Sequence, residues 1–469
     1  MKMIYNVEDK PKFGQVIVFA LQQLLAIMAA TLVVPVIING NAGLEGKDAM
    51  STAAALFGAG VGTLVYLLFT KFKSPVFLGS SFAFIGSMTA AFAGAVGSVA
   101  LGYLGLIMGA IFAGLVYVII AIIVKFVGVG WINKLMPAAV IGPTVAIIGL
   151  SLAGNAVGDL QKSSVTGEKT LIAVVCGIIT LIVTALCATY GKKMARLTPF
   201  IFGILAGYAV SVIFTIIGNV ADIDALRIIS FDSFKALTAN GVGVDTFINV
   251  KPSFTFLTAI KGFGDINASY ISTIALAYIP VAFVVFAEHI ADHKNISSII
   301  ERDLLENPGL SRTLLGDGVG SMAGAVFGGC PNTTYGESVA CVAITRNASI
   351  VTIFAAAIGA IIISFISPFI AFVNSIPSCV MGGVCMALYG FIAVSGLKMI
   401  QKVDLGKNRN LFVVSSILIA GIGGLTLSFG KITITSIATA LILGIIVNVI
   451  LSKKGTDEKE EEAEGNDAQ

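Results

Sequence analysis

Long apolar runs alternate with short polar connections along almost the whole chain of 469 residues. Most runs hold about 20 residues, which as a helix cross the roughly 30 Å of hydrocarbon in a bilayer. The pattern predicts an all-α polytopic membrane protein with fourteen transmembrane spans. In order, the predicted spans are Phe13–Ile38, Ser51–Thr70, the run from Val76 through Phe82, Ala100–Val124, Ala138–Ala153, Leu171–Tyr190, Pro199–Ile217, Ala268–Asp292, Gly316–Gly328, Gly328–Arg346, Ile350–Val373, Val380–Val394, Leu411–Leu427 and Ile434–Leu451.

Spans three and ten differ from the others because an extended polar piece interrupts each. Span ten reads GGCPNTTYGESVACVAITR from Gly328, and span three breaks at Gly79 before a short apolar run. Irregular backbone at membrane depth is tolerated only where it is buried in protein or lines a cavity. We therefore expect an extended, buried piece followed by a short helix in both spans, and a binding site at the membrane midplane.

The two halves of the chain resemble each other. LMPAAVIGPTVAIIG from Leu135 matches SIPSCVMGGVCMALYG from Ser375 as P-x-x-V-x-G, and each half holds one broken span. Seven spans are an odd number, so the second half would lie upside down relative to the first. The prediction is two inverted repeats of seven spans, as in many secondary transporters.

The composition adds an orientation to this picture. The chain is 57% hydrophobic and 12% charged, whereas soluble domains have about 25% charged residues. With the N-terminus in the cytoplasm, most of the 29 Lys and Arg residues fall on inner segments, as the positive-inside rule requires. We expect both termini in the cytoplasm. The six cysteines form no CxxC pair and only two histidines are present, so we expect reduced cysteines, no metal and no cofactor.

Three acidic residues stand out because they lie within or beside apolar runs. Glu288 and Asp292, one helical turn apart, lie in VVFAEHIADH, and Glu337 follows the break of span ten. A charge at the bilayer centre costs about 2.5–3.5 kcal/mol unless a proton, a partner or a ligand offsets it. The alternative for Glu288 is a residue at the inner membrane boundary, since charged residues follow it closely. Glu337 has no adjoining polar loop.

A helix that begins inside the membrane presents unpaired backbone N–H groups in its first turn. Phe82 opens one such half-helix, just after Ser81, and Gly336 opens the other. Backbone donors together with two carboxylate acceptors suit a small planar ligand with alternating C=O and N–H groups, such as the pyrimidine uracil. Phe82, Tyr335 and Tyr389 are candidates for an aromatic or apolar wall, although a single aromatic residue is more often a packing residue.

Two further observations bear on the energy source for transport. His289 and His293 are candidates for a proton relay, although histidines near a membrane boundary are more often plain interfacial residues. The chain has no G-x-x-x-x-G-K-[ST] motif, so we expect no ATP-driven transport.

These motifs resemble the nucleobase–ascorbate transporter family, also called nucleobase:cation symporters, and within it the bacterial uracil permeases. The resemblance is carried by LGSSFAF at Leu78, AEHIADH at Ala287, NTTYGE at Asn332 and AITR at Ala343, and it covers nearly the whole chain up to the acidic tail. It implies a multi-pass protein of the bacterial cell (inner) membrane that holds uracil between the short strands of spans three and ten.

The resemblance also implies roles for individual residues. Contacts to the substrate fall on the carboxylates of Glu288 and Glu337 and on the backbone of Phe82 and Gly336. A family histidine thought to help proton coupling falls on Asp292. A first-span histidine of the family falls on Gln23. These two departures leave the fold in place and affect selectivity and coupling.

The resemblance further implies two domains that move against each other. The division gives a core domain at 1–125 (spans one to four) and 266–374 (spans eight to eleven), a gate domain at 126–220 (spans five to seven) and 375–452 (spans twelve to fourteen), an extracellular loop between the repeats at 221–265, and a disordered acidic cytoplasmic tail at 453–469.

The expected function is import of uracil by proton symport through alternating access. The expected partners are uracil, a proton and membrane lipid but no nucleic acid, and a homodimer is left open. The runner-up is a xanthine or other purine–cation symporter of the same fold. An anion channel-like protein belongs to a different class and would lack a closed, saturable site. A membrane enzyme would need a nucleophile–base pair or a metal site, which the sequence does not show.

Overall fold

The structure is a computed structural model that describes residues 3–128, 130–192, 194–239, 241–249, 253–429 and 432–452. The predicted disordered tail, 453–469, lies outside the described residues. The first half of the chain contains α1 (Phe13–Ala42), α2 (Thr52–Phe69), β1 (Leu78–Ser80), α3 (Ile85–Gly94), α4 (Val99–Val127), α5 (Gly130–Leu135), α6 (Ala138–Ser151), α7 (Ala153–Leu160), α8 (Leu171–Tyr190), α9 (Met194–Leu197) and α10 (Pro199–Ala221).

The second half begins with three short helices and continues with longer ones. Its elements are α11 (Asp232–Thr238), α12 (Val244–Phe247), α13 (Thr255–Ala259), α14 (Ala268–Ile300), α15 (Leu310–Gly328), β2 (Asn332–Thr334), α16 (Gly336–Thr345), α17 (Ile350–Ile363), α18 (Ser367–Ser375), α19 (Ser378–Ile400), α20 (Asn408–Ile422), β3 (Leu427–Phe429), β4 (Ile432–Ile434) and α21 (Ser436–Leu451).

The lengths and composition of the helices are those of an integral membrane protein. Within the described residues, eight helical stretches are long and apolar enough to cross a bilayer, and five shorter apolar helices accompany them. A largely helical membrane protein is therefore confirmed. The exact arrangement of fourteen spans in two inverted repeats stays a prediction, because several predicted spans are built from short or divided helices.

The expected strands of spans three and ten pair with each other. β1 and β2 run antiparallel, with Leu78 opposite Thr334 and Ser80 opposite Asn332. Each strand precedes a helix of ten residues, α3 or α16. This pairing satisfies backbone groups that would otherwise be unpaired at membrane depth. α16 begins at Gly336 as predicted, whereas α3 begins at Ile85 rather than at Phe82, which lies in the turn between β1 and α3.

Several predicted boundaries were wrong. Span eight was expected to end at Asp292 and to lead into a charged linker, 293–312, but α14 continues to Ile300 and α15 begins at Leu310. Polar residues end the apolar run without ending the helix, because residues 293–300 include no glycine or proline, the residues that disfavour a helix most. Span eleven is divided into α17 and α18, and β3 and β4 form a hairpin before the last helix that was not predicted.

The helices pack in two groups. In the first, α2 packs against α15 and α17, while α4 packs against α14 and α15. In the second, α6 packs against α19 and α20, and α8 packs against α10 and α19. Glycines allow the close approach of α6 and α19, since a Cβ at Gly396 would lie 2.5 Å from the carbonyl oxygen of Gly142. The groups correspond to the predicted core and gate domains, whose division stays a prediction.

The N-terminal segment, residues 3–12, lies against the chain that follows α16. The backbone N–H of Ala348 donates to the carbonyl of Tyr5 (2.9 Å), and that of Ile350 donates to the carbonyl of Val7 (3.0 Å). The side chain of Val7 is buried. The segment is therefore packed against the end of the half-helix that begins at the predicted site.

Candidate substrate site

A pocket of about 430 Å³ lies between the β1–β2 pair and the second group of helices. The residues that line it come from α1, the turn after β1, α6, α8 to α10, α14, β2, α16 and α19. Arg196, Asn295 and Ile344 line one end of it and are exposed. The pocket thus reaches from buried backbone toward the end of the molecule that holds the N-terminal segment.

Two carboxylates of the pocket come from one face of α14. Glu288 and Asp292 are four residues apart, so they lie one above the other on the helix surface. The hydroxyl of Thr334 on β2 donates to Oδ2 of Asp292 at 2.8 Å. Thr334 thereby fixes the orientation of Asp292 and ties α14 to the strand pair.

The third carboxylate stands at the beginning of α16. Gly336 and Glu337 are its first two residues, and both line the pocket. The N–H groups of the first turn have no partner within a helix, so α16 presents donors beside an acid. Around Gly336 the space is open, because a Cβ built there would meet only Oδ1 of Asp292, at 3.9 Å.

Aromatic side chains form the wall beside these polar groups. Phe82 lines the pocket, and its ring meets that of Tyr389 edge-on, with the centroids 5.6 Å apart. Tyr335 also lines the pocket, and its hydroxyl donates to the carbonyl of Ser80 at 2.8 Å. A flat ring could therefore lie against apolar surface while its edge meets acids and backbone donors.

Six predicted site residues come together as lining residues of this pocket. They are Phe82, Glu288, Asp292, Tyr335, Gly336 and Glu337. The structure places the other four behind or beside it. Gln23 donates from Nε2 to the hydroxyl of Ser338, next to Glu337. Ser81 is buried, and its N–H donates to the carbonyl of Pro331. Tyr389 supports Phe82, and His289 faces α15.

Sequence reasoning missed several polar residues of the site. Thr333, Thr334, Asn295 and Arg196 all line the pocket. Asn295 could have been found from helical spacing, since it lies seven residues after Glu288 and so on the same face. Arg196 lies on α9, in a region of the chain that the sequence alone does not bring near the site.

Gly79 lies so close to Tyr335 that any side chain would collide with it. A Cβ at this position would lie 2.4 Å from the Tyr335 ring. We expect Gly79→Ala to displace the ring and to lower the thermal unfolding temperature. The loss of ligand-binding free energy should be at least as large as the loss of unfolding free energy. Thermal unfolding with and without ligand would measure both effects. Gly154→Ala, at a helical position with open space around it, is the control. An unchanged pair of values would contradict the assigned position of Tyr335.

Comparison with known proteins decides the family. A family model described as "Permease family" (Xan_ur_permease) matches residues 14–430. The chain belongs to this family. The permease is 36% identical over 454 residues to the uracil permease of Bacillus caldolyticus. This alignment covers 96% of this chain and 95% of that protein. It is 35% identical to the uracil permease of Bacillus subtilis (strain 168), with 99% and 98% covered. These relatives confirm the resemblance to bacterial uracil permeases.

Solved structures of other transporters share the fold of the permease. The transmembrane domain of the cyanobacterial bicarbonate transporter BicA aligns with a TM-score of 0.60 at 14% identity, covering 95% of this chain and all of that one. The murine anion transporter Slc26a9 in its inward-facing state aligns with a TM-score of 0.62 at 11% identity, covering 94% and 69%. At such identities only the fold is shared. The permease is an integral membrane transporter and not an enzyme.

Proposed function

We propose that the permease imports uracil by proton symport across the bacterial cell membrane, with both termini in the cytoplasm. The observation that carries this proposal is the pocket that Glu288 and Glu337 line together with Gly336, the first residue of α16, and Phe82, in the turn before α3. The names of the uracil permease relatives, which cover nearly the whole chain, support the choice of substrate.

The chemistry of the pocket matches the edge of a pyrimidine. The carboxylates of Glu288 and Glu337 accept the two ring N–H groups, and the backbone N–H groups of Phe82 and Gly336 donate to the ring carbonyls. Hydrogen bonds to ionised groups are roughly twice as strong as neutral ones. Phe82 and Tyr335 cover apolar surface of the ring.

A proton that enters with the substrate serves an electrostatic purpose. Three acids, Glu288, Asp292 and Glu337, lie in one pocket at membrane depth, where uncompensated charge is costly. Binding a proton together with the neutral base lowers the net negative charge of these acids, so less charge moves within the membrane when the core domain moves. Under alternating access, the core domain then moves against the gate domain and releases both into the cytoplasm.

Uptake of radiolabelled uracil into proteoliposomes tests this proposal. We expect saturable uptake that increases when the outside is made more acidic than the inside, and that disappears when the gradient is collapsed with a protonophore. Empty liposomes are the control. Uptake that ignores the pH gradient would contradict proton symport, and uptake that unlabelled uracil does not compete would contradict the substrate.

A purine carrier is the second candidate, and Asp292 favours it. This third acid of the pocket offers an additional acceptor, and a purine base such as xanthine has more N–H groups than uracil. Competition by uracil, xanthine and uric acid in the same uptake assay ranks the two. Anion transport fits the pocket poorly, since an anion would lie among three carboxylates that repel it.

A further inference from the structure

A second cluster of titratable groups lies on another face of α14 and does not line the substrate pocket. His289, His293 and Asp317 are each at most 1% exposed. Consecutive residues on a helix are about 100° apart, so His289 faces away from Glu288 and toward α15. Burying such groups at membrane depth is costly and marks a functional role. Substrate binding does not explain why these three residues are buried together, since none of them lines the pocket.

The hydrogen-bond partners of His289 are compatible with one additional proton on its ring. Its Nδ1 lies 2.7 Å from Oδ2 of Asp317, and its Nε2 lies 3.0 Å from the hydroxyl of Thr313. The Thr313 hydroxyl also lies 3.1 Å from the carbonyl oxygen of Leu310, which can only accept. Thr313 has a single hydroxyl hydrogen. It can donate to His289 or to Leu310, but not to both.

Two protonation states of the pair therefore both satisfy the hydrogen bonds of the His289 ring and the Thr313 hydroxyl. In the empty state, Nδ1–H of His289 donates to the Asp317 carboxylate, and the Thr313 hydroxyl donates to the bare Nε2. In the loaded state, Nε2 carries the additional proton and donates to Thr313, whose hydroxyl turns to the Leu310 carbonyl. The remaining proton is shared between Nδ1 and Asp317. Loading requires the rotation of one hydroxyl.

We propose that the His289–Asp317 pair stores the coupled proton, and that Thr313 is the positioning residue that lets the pair gain and release it. This inference rests on the proposed proton symport. Glu288 is adjacent to His289 along α14, so a proton stored at the pair changes the electric field at the substrate carboxylate. The proton comes from water on the acidic side and returns to water in the cytoplasm.

His293 contacts the same cluster but plays a different part. Its Nδ1 lies 2.8 Å from the carbonyl oxygen of His289, so Nδ1 must carry hydrogen, and its Nε2 lies 2.7 Å from the hydroxyl of Tyr66. No carboxylate contacts His293 among the described residues, and buried charges need a partner. The two imidazole rings stack with centroids 4.0 Å apart rather than sharing a hydrogen bond. His293 is a neutral support, and the arrangement favours storage over a relay between the rings.

Other titratable groups around the pair come from each packed helix. Tyr117 on α4 meets His289 edge-on at 6.1 Å, and Tyr66 on α2 reaches the cluster through His293. On α14, Glu288 and Asp292 face the pocket. The nearest cation along α15 is Arg312, which is exposed. Asp317 is thus the acid in direct contact with His289.

The pH dependence of uracil uptake in proteoliposomes tests the role of Thr313. Thr313→Val removes the hydroxyl from both states: the empty state loses a hydrogen bond to neutral Nε2, and the loaded state loses one from the charged imidazolium, which contributes more. We expect the proton affinity of the pair to fall about tenfold and the pH of half-maximal uptake to move about one unit toward acid. Thr313→Ser keeps the hydroxyl and should restore the wild-type profile. Thr184→Val is the matched control, since this buried hydroxyl bonds to the carbonyl of Thr180 on its own helix.

Proton uptake on addition of uracil provides an independent measurement. In weakly buffered solution with an indicator dye, we expect wild-type and His293→Gln protein to take up a proton and Asp317→Asn protein to take up none, while all three bind uracil. A wild-type protein that binds uracil without proton uptake would overturn the proposed symport itself. Proton uptake that survives in Asp317→Asn would overturn only the storage pair. A Thr313→Val profile equal to that of Thr184→Val would do the same, even if Asp317→Asn does not fold.

Discussion

Glu337→Gln is expected to weaken uracil binding by about 100-fold while the protein stays folded. The amide has the size of the carboxylate but loses the charge, and hydrogen bonds to charged groups contribute about 1.5–3 kcal/mol each. The glutamine side chain keeps one acceptor oxygen, but this oxygen is neutral, and the NH₂ group in place of the second oxygen cannot accept. The Kd of the purified protein for uracil, measured by calorimetry, is the readout.

Glu306→Gln is the matched control for this experiment. Glu306 is an exposed acid in the connection between α14 and α15, away from the pocket. Removing its charge should leave the Kd unchanged. If Glu337→Gln behaves like Glu306→Gln, then Glu337 does not hold the substrate and the proposed orientation of uracil is wrong.

Gly336→Val is expected to abolish uracil uptake without unfolding the permease. A side chain at this position enters open space in the pocket, where the only atom within 4 Å of its Cβ is Oδ1 of Asp292. Valine therefore fits the protein but occupies the place of the ligand and shields the N–H donors of α16. Gly336→Ala, with one carbon atom, should give an intermediate loss. Uptake at saturating uracil and the thermal unfolding temperature are measured together.

The control for this series is Gly40→Val, at an exposed position of α1 that also has open space around it. It tests whether valine in place of a membrane glycine is harmful in itself. Uptake by Gly336→Val at the level of Gly40→Val would show that the substrate does not approach α16. A fall in unfolding temperature confined to Gly336→Val would indicate misfolding rather than blocked binding.

The broken spans were predictable because their chemistry conflicts with a lipid environment. Residues 328–336 combine glycine, proline and polar side chains in the middle of apolar sequence, and such a segment must be enclosed by protein. The antiparallel register of β1 and β2 was not predictable in the same way. It joins residues that are more than 250 positions apart, and nothing local in either strand specifies its partner.

The residue spacing on α14 predicts which side chains share a face of the helix, but it does not predict which helix each face packs against. His289 and Glu288 are adjacent in sequence, yet they face different sides of the helix. The spacing of four residues between Glu288 and Asp292, and between His289 and His293, already separates a pocket face from a buried face. The spacing of Thr313 and Asp317 on α15 is the same. What the sequence could not supply was the packing of α15 against the histidine face.

Helix ends were harder to predict than helix positions. The apolar run ends near Asp292, and α14 continues for two turns beyond that point because residues 293–300 include no glycine or proline and are compatible with a helix. The Asn295 side chain at the mouth of the pocket lies on this continuation. A prediction that ended the helix at Asp292 therefore missed Asn295 as a residue of the pocket entrance.

The position of residues 3–12 has a practical consequence for handling the permease. Tyr5 and Val7 form backbone hydrogen bonds with the chain just beyond α16, so a purification tag or fluorescent protein fused close ahead of them would crowd the half-helix that carries Glu337. A fusion partner at the opposite terminus avoids this contact. Binding constants obtained with the two fusion designs would differ for a reason unrelated to the ligand.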